Sequence, residues 1–264
     1  MPEADRDYFQ VDPQYQPVMR QIGLDAEAVF SHPDIKVWRS IRERENCTLD
    51  ATLDGREIRL HIKRYRAMRG SAKPADEEAR GIQTLLAHQI PTVPLVGWGR
   101  LGDGRSFVIT EDLADFRAAD KLIESGFSFE KLLTPTADLA AKLHSSGLHH
   151  RDLYLCHFFV KADERGVELR LIDAARVRAL PRWMKQRWIV KDLAQFWYSA
   201  TQLGVPKEQL VQWLKRYGVA RNLSNVEGLA RVIERKVGWI ARHDKKLNRA
   251  QPKRNISIPQ ARGT

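Results

Sequence analysis

Residues 147–160, GLHHRDLYLCHFFV, set three histidines, an arginine and an aspartate inside an otherwise apolar run. Polar groups in such company are paired, gathered at an opening, or costly. Histidine, cysteine and aspartate are the residue types of proton transfer and of metal binding. His144, His149, His150, Cys156 and His157 crowd together, but their spacing fits no standard zinc finger. Two more charged groups stand on patterned elements. Lys63 shares a strand face with His61, opposite the alternating Ile58, Leu60 and Ile62. Glu78 falls on a helical stripe with Ile82, Leu85 and Leu86, where a carboxylate requires a cation inside the fold; its neighbour Glu77 points elsewhere.

The elements that must position these groups are legible in outline. TLDATLDGREIRLHIKRY reads as a hairpin turning at Asp54-Gly55. After a basic loop, Pro74 opens a helix to about residue 88. TVPLVGWGR and SFVITEDL read as two further strands around a Gly-Asp-Gly turn, the second ending at Glu111-Asp112. Thr134-Pro135 starts the next predicted helix, with Leu139 and Leu143 one turn apart and Gly147 as its C-terminal cap. VELRLID is a strand ending in Asp173, followed by a basic stretch rich in tryptophan. Three helices are predicted beyond it, at 188–202, 206–217 and about 226–246, and the tail from Lys245 is basic with two prolines. No internal repeat is found. The expected organisation is an N-terminal extension (1–35), a β-rich lobe with one helix (36–112), a larger helical lobe (113–247) and a basic tail (248–264).

At 264 residues and 43% hydrophobic content the chain can bury one large core or two modest ones, which excludes a disordered protein. Lys and Arg outnumber Asp and Glu by 44 to 33, giving +11, a balance that favours phosphates, nucleic acid or anionic lipid headgroups. Cys47 and Cys156 are too few for a disulfide framework, so a reducing compartment is expected. The first ten residues lack an apolar signal core, and no apolar run approaches the roughly 18 residues that span a bilayer. A cytoplasmic protein, peripheral at most to a membrane, is the expectation.

A strand lysine, a helix glutamate, a His-Arg-Asp loop and a strand-ending aspartate, in that order, resemble the parts of a protein-kinase site. More narrowly, HHRDLYLCHFFV with LIDAAR and VKDLAQFWYSA is similar to the lipopolysaccharide core kinases, which phosphorylate Kdo or heptose sugars of the inner core, and the likeness covers roughly residues 36–217. The resemblance implies an α+β, bilobal protein-kinase-like fold. It implies that Lys63 grips the α- and β-phosphates of ATP while Glu78 holds its ammonium, with Glu111 and Leu113 also in contact with the nucleotide. Asp152 would accept or orient the proton of the attacking sugar hydroxyl, and Asp173 would bind Mg²⁺ or Mn²⁺. His150 and Arg151 would support the loop, and Asp192 would tie it down from behind. On this pattern the polar run at 147–160 lies at an opening between lobes, and Lys63, Asp152 and Asp173 converge on one nucleoside triphosphate.

The departures carry information too. Five residues after Asp152, where a protein kinase has a metal-binding Asn, stands His157, a poor ligand for Mg²⁺ that is expected either at the metal or as a hydrogen-bonding group beside the phosphates. Asp173-Ala174-Ala175 replaces Asp-Phe-Gly, and RERENCTLD stands where a glycine-rich loop would be. No Ser, Thr or Tyr lies between Asp173 and Asp192, so phosphorylation cannot switch this segment, and the Ala-Pro-Glu anchor is missing. PRWMKQRW occupies the place instead; its tryptophans read either as core anchors or as contacts with an anionic glycolipid at a membrane interface. The leading expectation is an ATP-dependent kinase acting on a sugar of a lipopolysaccharide-type glycolipid. A kinase of protein or metabolite is the alternative, and a silent kinase-fold module on nucleic acid is disfavoured because the lysine and both aspartates are kept.

Overall fold

The computed structural model describes residues 7–67 and 73–250. They form two compact units, one running to Thr84 and taking in Val93–Ala114, the other made of Leu85–Thr92 and the chain from Asp115 onward. The last fourteen residues of the expected basic tail and residues 68–72 of the basic loop lie outside the described residues.

The first unit contains β1 (Tyr8–Val11), α1 (Gln16–Gln21), α2 (Ala28–Ser31), β2 (Lys36–Ser40), β3 (Arg44–Leu53), β4 (Arg56–Tyr65), the helix α3 (Pro74–Ala87) as far as Thr84, β5 (Leu95–Arg100) and β6 (Ser106–Glu111). Its six strands make one antiparallel sheet in the order β1-β5-β6-β4-β3-β2. The β3–β4 hairpin turns on Asp54 (φ 50°) and Gly55 (φ 77°), the paired positive φ of a two-residue turn whose twist matches its strands. Ile58, Leu60 and Ile62 point to one face and bury with Val96, Phe107 and Ile109. At about 1.5–3 kcal/mol for each fully buried aliphatic or aromatic side chain, that face holds the sheet together. Residues 7–35, expected as an extension, are built into this unit: β1 is an edge strand, and Tyr15, Val18, Met19, Leu24 and Val29 close the same core. The opposite face of β4 carries His61, Lys63 and Tyr65, and α3 meets it through Glu78.

The second unit contains β7 (Arg117–Ala118), α4 (Ala119–Glu124), α5 (Phe129–Ser145), β8 (Leu148–His149), β9 (Phe158–Asp163), β10 (Gly166–Leu171), β11 (Arg178–Ala179), α6 (Lys185–Gln202), α7 (Lys207–Ala220) and α8 (Val226–Ala250). Its short strands pair antiparallel as β10-β9-β7 and β11-β8. Phe196 of α6 and Trp213 of α7 stack at 4.2 Å, with Phe158 and Phe129 packed around Phe196. The Trp213 indole N–H donates to Thr136 of α5 at 3.0 Å, so the largest core ring leaves no polar atom unmet.

Three expectations are corrected. Helix α5 starts at Phe129, ahead of Thr134-Pro135: Ser128 caps it by accepting from the Glu130 N–H, and Pro135 sits inside the helix because buried Phe129 and Leu132 hold its start in place. Leu86 is exposed, and the buried stripe of α3 is Ala75, Glu78, Ala79, Ile82 and Leu85. Residues 245–250 belong to α8, since no proline interrupts the helix before Pro252.

Close approach of β1 requires Gly97: a Cβ there would meet the Gln10 carbonyl oxygen at 2.7 Å and the Phe9 ring at 2.9 Å. Gly97→Ala is therefore expected to lower stability by about 2 kcal/mol through overpacking. Denaturant unfolding checks this, and an unchanged midpoint would mean that β1 can retreat freely.

Candidate functional site

In the first unit the Lys63 ammonium donates to Glu78 Oε1 at 2.5 Å, and Tyr65 Oη donates to Glu78 Oε2 at 2.7 Å. The β-strand alternation sends residues 63 and 65 to the same side, and Pro74 starts α3 so that position 78 arrives one turn in. The Glu78 side chain is only 4% exposed and that of Lys63 24%, so a buried carboxylate fixes a cation that still reaches solvent. Burial, followed by the nearby Glu78 charge, raises the Tyr65 phenol and keeps it a donor. His61 pairs with Asp112 at 2.9 Å. The Glu111 carboxylate accepts from Tyr15 Oη at 2.5 Å and pairs with Arg56 at 2.8 Å, while Leu113 is half-buried. The β2–β3 turn, in the place of a glycine-rich loop, is closed by the Ile41 N–H on the Arg44 carbonyl.

In the second unit one helix face holds the polar loop. Fully buried Asp192 accepts from the backbone N–H of His150 at 2.7 Å and of Arg151 at 2.8 Å. Arg151 has φ 73°, a left-handed conformation that an L-residue adopts only when it is held there. Around Asp192 on α6, Lys191 donates to the Arg151 carbonyl, Gln195 Oε1 accepts from the Leu153 N–H at 3.2 Å, and Ser199 Oγ accepts from the Leu155 N–H at 3.0 Å. Burial works against the Asp192 charge, but His144 and His150, the latter also through its backbone N–H, outweigh it and hold its carboxyl below the usual range. Behind it runs a relay in which Arg221 donates to Tyr217 Oη, Tyr217 to His144 Nδ1, and His144 Nε2 to Asp192. Burial lowers His144 and His150, so both rings are neutral; the Nε2–H of His150 donates to the Ile172 carbonyl at 3.0 Å.

Held this way, Asp152 keeps its carboxylate at the surface of the unit. Arg176 Nη1 donates to its two oxygens at 3.0 and 2.9 Å, and Gln195 reaches Oδ1 at 3.4 Å. The Asp152 carbonyl accepts from His157 Nδ1 at 2.6 Å, and His157 Nε2 lies 3.6 Å from Asp173 Oδ2. Asp173 itself is left-handed, φ 61°, at the end of the strand segment. Asp152, His157 and Asp173 are thus brought together, with His150, Arg151 and Asp192 beneath them. Burial opposes charge on His157, but the Cys156 sulfur, Asp173 and the Asp152 carbonyl outweigh it, so the imidazole is held protonated well above its ordinary range. Because a carbonyl can only accept, His157 Nδ1 carries a proton, and Nε2 is the ring nitrogen turned toward Asp173. The donor set fits Mg²⁺ through Asp173, a hard oxygen ligand that would leave the remaining positions to phosphate and water, and an imidazole nitrogen is a poorer match for that ion. Among the described residues no cluster of three or more His, Cys, Asp or Glu could hold a metal by itself.

Arg176, Lys191, Gln195, Ser199 and Tyr65 were not assigned from sequence. LIDAAR and VKDLAQFWYSA contain four of them, and the helical spacing of 191, 195 and 199 was the available signal.

These parts hold fixed charges rigidly, as phosphoryl transfer requires, and the class they define is that of the protein-kinase-like phosphotransferases. The model of the lipopolysaccharide kinase (Kdo/WaaP) family matches residues 35–217, and the chain belongs to that family. It is 27% identical over 223 residues to the lipopolysaccharide core heptose(I) kinase WaaP of Escherichia coli K12, covering 74% of this chain and 82% of that protein. It is 28% identical over 231 residues to the protein of the same name from Pseudomonas aeruginosa PAO1, covering 76% and 84%.

Asp192→Asn would set an amide N–H₂ against a backbone N–H donor, and a loss of about 3 kcal/mol is expected. Because the Asp192 carboxyl is held low, its contribution is whole above about pH 4 and fades as pH falls through its folded-state value. Denaturant unfolding of parent and variant should show a gap at neutral pH that narrows in acid. Equal stability at neutral pH would remove Asp192 as the anchor.

Proposed function

We propose that the chain transfers the γ-phosphate of ATP to a hydroxyl of a heptose in the lipopolysaccharide inner core, the sugar named for its curated relatives. The observation that carries the reading is Asp152, a carboxylate on a loop whose backbone α6 grips from residue 150 to residue 155. Kdo, the other sugar in the family's name, is the second choice because both relatives described above are heptose kinases.

In the first unit, Lys63 takes the α- and β-phosphates, aimed by Glu78 and Tyr65. Contacts of residues 111–113 with the nucleotide fall to backbone groups and Leu113, since the Glu111 carboxylate is engaged by Tyr15 and Arg56. In the second unit, Asp152 takes the proton of the acceptor hydroxyl as its oxygen bonds to the γ-phosphorus, and the bond from that phosphorus to the bridging oxygen breaks to release ADP. Arg176 keeps the Asp152 carboxylate aimed. Asp173 would hold Mg²⁺, which would supply positive charge to the phosphate oxygens. His157 donates to the Asp152 carbonyl and lies 3.6 Å from the Asp173 carboxylate, so it links the loop that carries one aspartate to the side chain of the other. No described helix is long and apolar enough to cross a membrane, so a lipid-linked acceptor would be met from the bilayer surface.

Labelled ATP incubated with heptose-containing core glycolipid, with glycolipid lacking heptose, and with a peptide pool tests the acceptor. Label is expected in the first alone, and transfer to peptide only would overturn the reading. Asp152→Asn should reduce turnover by roughly 10²–10⁴-fold with nucleotide affinity nearly unchanged, whereas Asp173→Ala should abolish the Mg²⁺ dependence of nucleotide binding in a calorimetric titration. Retained turnover in Asp152→Asn contradicts its role as base. For His157→Asn, better use of Mg²⁺ would place position 157 at the metal, and unchanged use would leave it as a hydrogen-bonding group.

A further inference from the structure

One surface of the second unit has chemistry that the phosphotransfer site does not use. Trp183, two residues before α6, is 96% exposed, and Met184 beside it is also open. Arg182, Lys185 and Arg187 flank them and are all exposed. The other tryptophan of PRWMKQRW behaves oppositely: Trp188 is half-buried against His149 at 4.8 Å, with the Arg151 guanidinium over its ring. Only one of the pair is a core anchor.

Helix α8 packs along α6 and continues this surface. Leu229, Ile233 and Ile240 face inward. At 3.6 residues per turn, Arg231, Arg235, Arg242 and Lys246 fall on the outward face together with Val232 and the half-exposed Trp239. Lys236 joins the two elements: its ammonium lies over the Trp239 ring at 3.8 Å, and burial together with the Arg187 charge from α6 lowers its proton affinity. Of the helix's nearby acids, Glu234 is paired with Lys207 at 2.7 Å and Asp244 accepts from Tyr198 at 2.8 Å, and the cations of the outward face outnumber them.

We infer that the face made by residues 182–187 and the outward side of α8 from Arg231 to Lys246 seats the protein on an anionic bilayer surface. Tryptophan and methionine pointing outward among arginines and lysines match the headgroup layer, where an amphipathic ring finds both an apolar side and a polar one. Each cation near an anionic leaflet strengthens binding about fivefold, so six or more on one face make a reversible anchor without a membrane span. Nucleic acid would satisfy the cations, but it gives Met184 and Val232 no partner. The inference rests on the proposed reading that the acceptor is lipid-linked, and it adds the surface by which the enzyme reaches that acceptor.

Flotation of the full chain with phosphatidylcholine vesicles, with and without phosphatidylglycerol, tests it. Binding is expected only with phosphatidylglycerol, and should weaken as salt rises. Trp183→Ser, which lies outside any helix, should weaken binding several-fold, and the pair Arg235→Glu and Arg242→Glu should weaken it by tenfold or more, with the helical circular dichroism unchanged. Phosphate transfer to glycolipid dispersed in detergent should stay at the parent rate in these variants. Equal flotation of parent and variants, or equal binding to neutral vesicles, overturns the inference even if transfer proceeds. Capture by a DNA or RNA oligonucleotide without any vesicle binding assigns the face to nucleic acid and overturns it too. Absence of transfer in the parent is a separate result that counts against the kinase reading and leaves the vesicle measurement standing.

Discussion

A single buried carboxylate organises the second unit. Asp192 has lost all contact with water, and a charge in that position persists only if enough donors converge on it. Two of those donors are consecutive backbone N–H groups, of His150 and Arg151, and accepting both forces the peptide between them into a narrow range of orientations. The left-handed φ of Arg151 is the local cost. Its result is that the chain reverses just before Asp152 and delivers that side chain outward. Lys191, Gln195 and Ser199 extend the grip along α6, so the loop's register is set by helical spacing and not by its own sequence propensity.

The first unit solves a different problem with the same economy of parts. Lysine is a flexible cation with four rotatable bonds, and aiming it requires a partner that cannot itself move. Glu78 meets that need because it is buried on the apolar stripe of α3 and its second oxygen is held by Tyr65. The two oxygens therefore have separate tasks. One faces the core donor and one faces the functional amine. A surface glutamate with both oxygens in water would leave the amine free to swing.

What could be read from sequence follows from range. Turn chemistry at Asp54-Gly55, the 2-residue alternation of Ile58, Leu60 and Ile62, and the glycine cap at Gly147 are local and were recovered as they stand. Glu78 was recoverable because a charge on an apolar stripe is an anomaly within a single helix. Arg176 was not, because nothing within LIDAAR says that its guanidinium returns to a residue 24 positions earlier. The start of α5 was misread for a related reason: Pro135 looks like a beginning by local rules, and only the burial of Phe129 and Leu132 in the tertiary core makes the earlier turns helical. Trp183 and Trp188 make the same point, since one motif supplied both a half-buried anchor and an exposed ring.

The segment between Asp173 and α6 explains why no phosphorylatable residue is needed there. In a kinase that is switched, this stretch is ordered only after a charge is added. Here it is ordered by the chain's own hydrogen bonds. β11 pairs with β8, the Leu180 N–H donates to the Gly147 carbonyl at 2.7 Å, and Arg178 donates to the carbonyls of Ala175 and Val177. Those contacts also fix Arg176, lying between them, against Asp152. A segment held by backbone pairing on one side has no call for side chains to hold it on the other, which leaves residues 182–187 available for contacts beyond the molecule. The same short stretch can thus carry a rigid edge facing Asp152 and, a few residues on, a basic and aromatic surface.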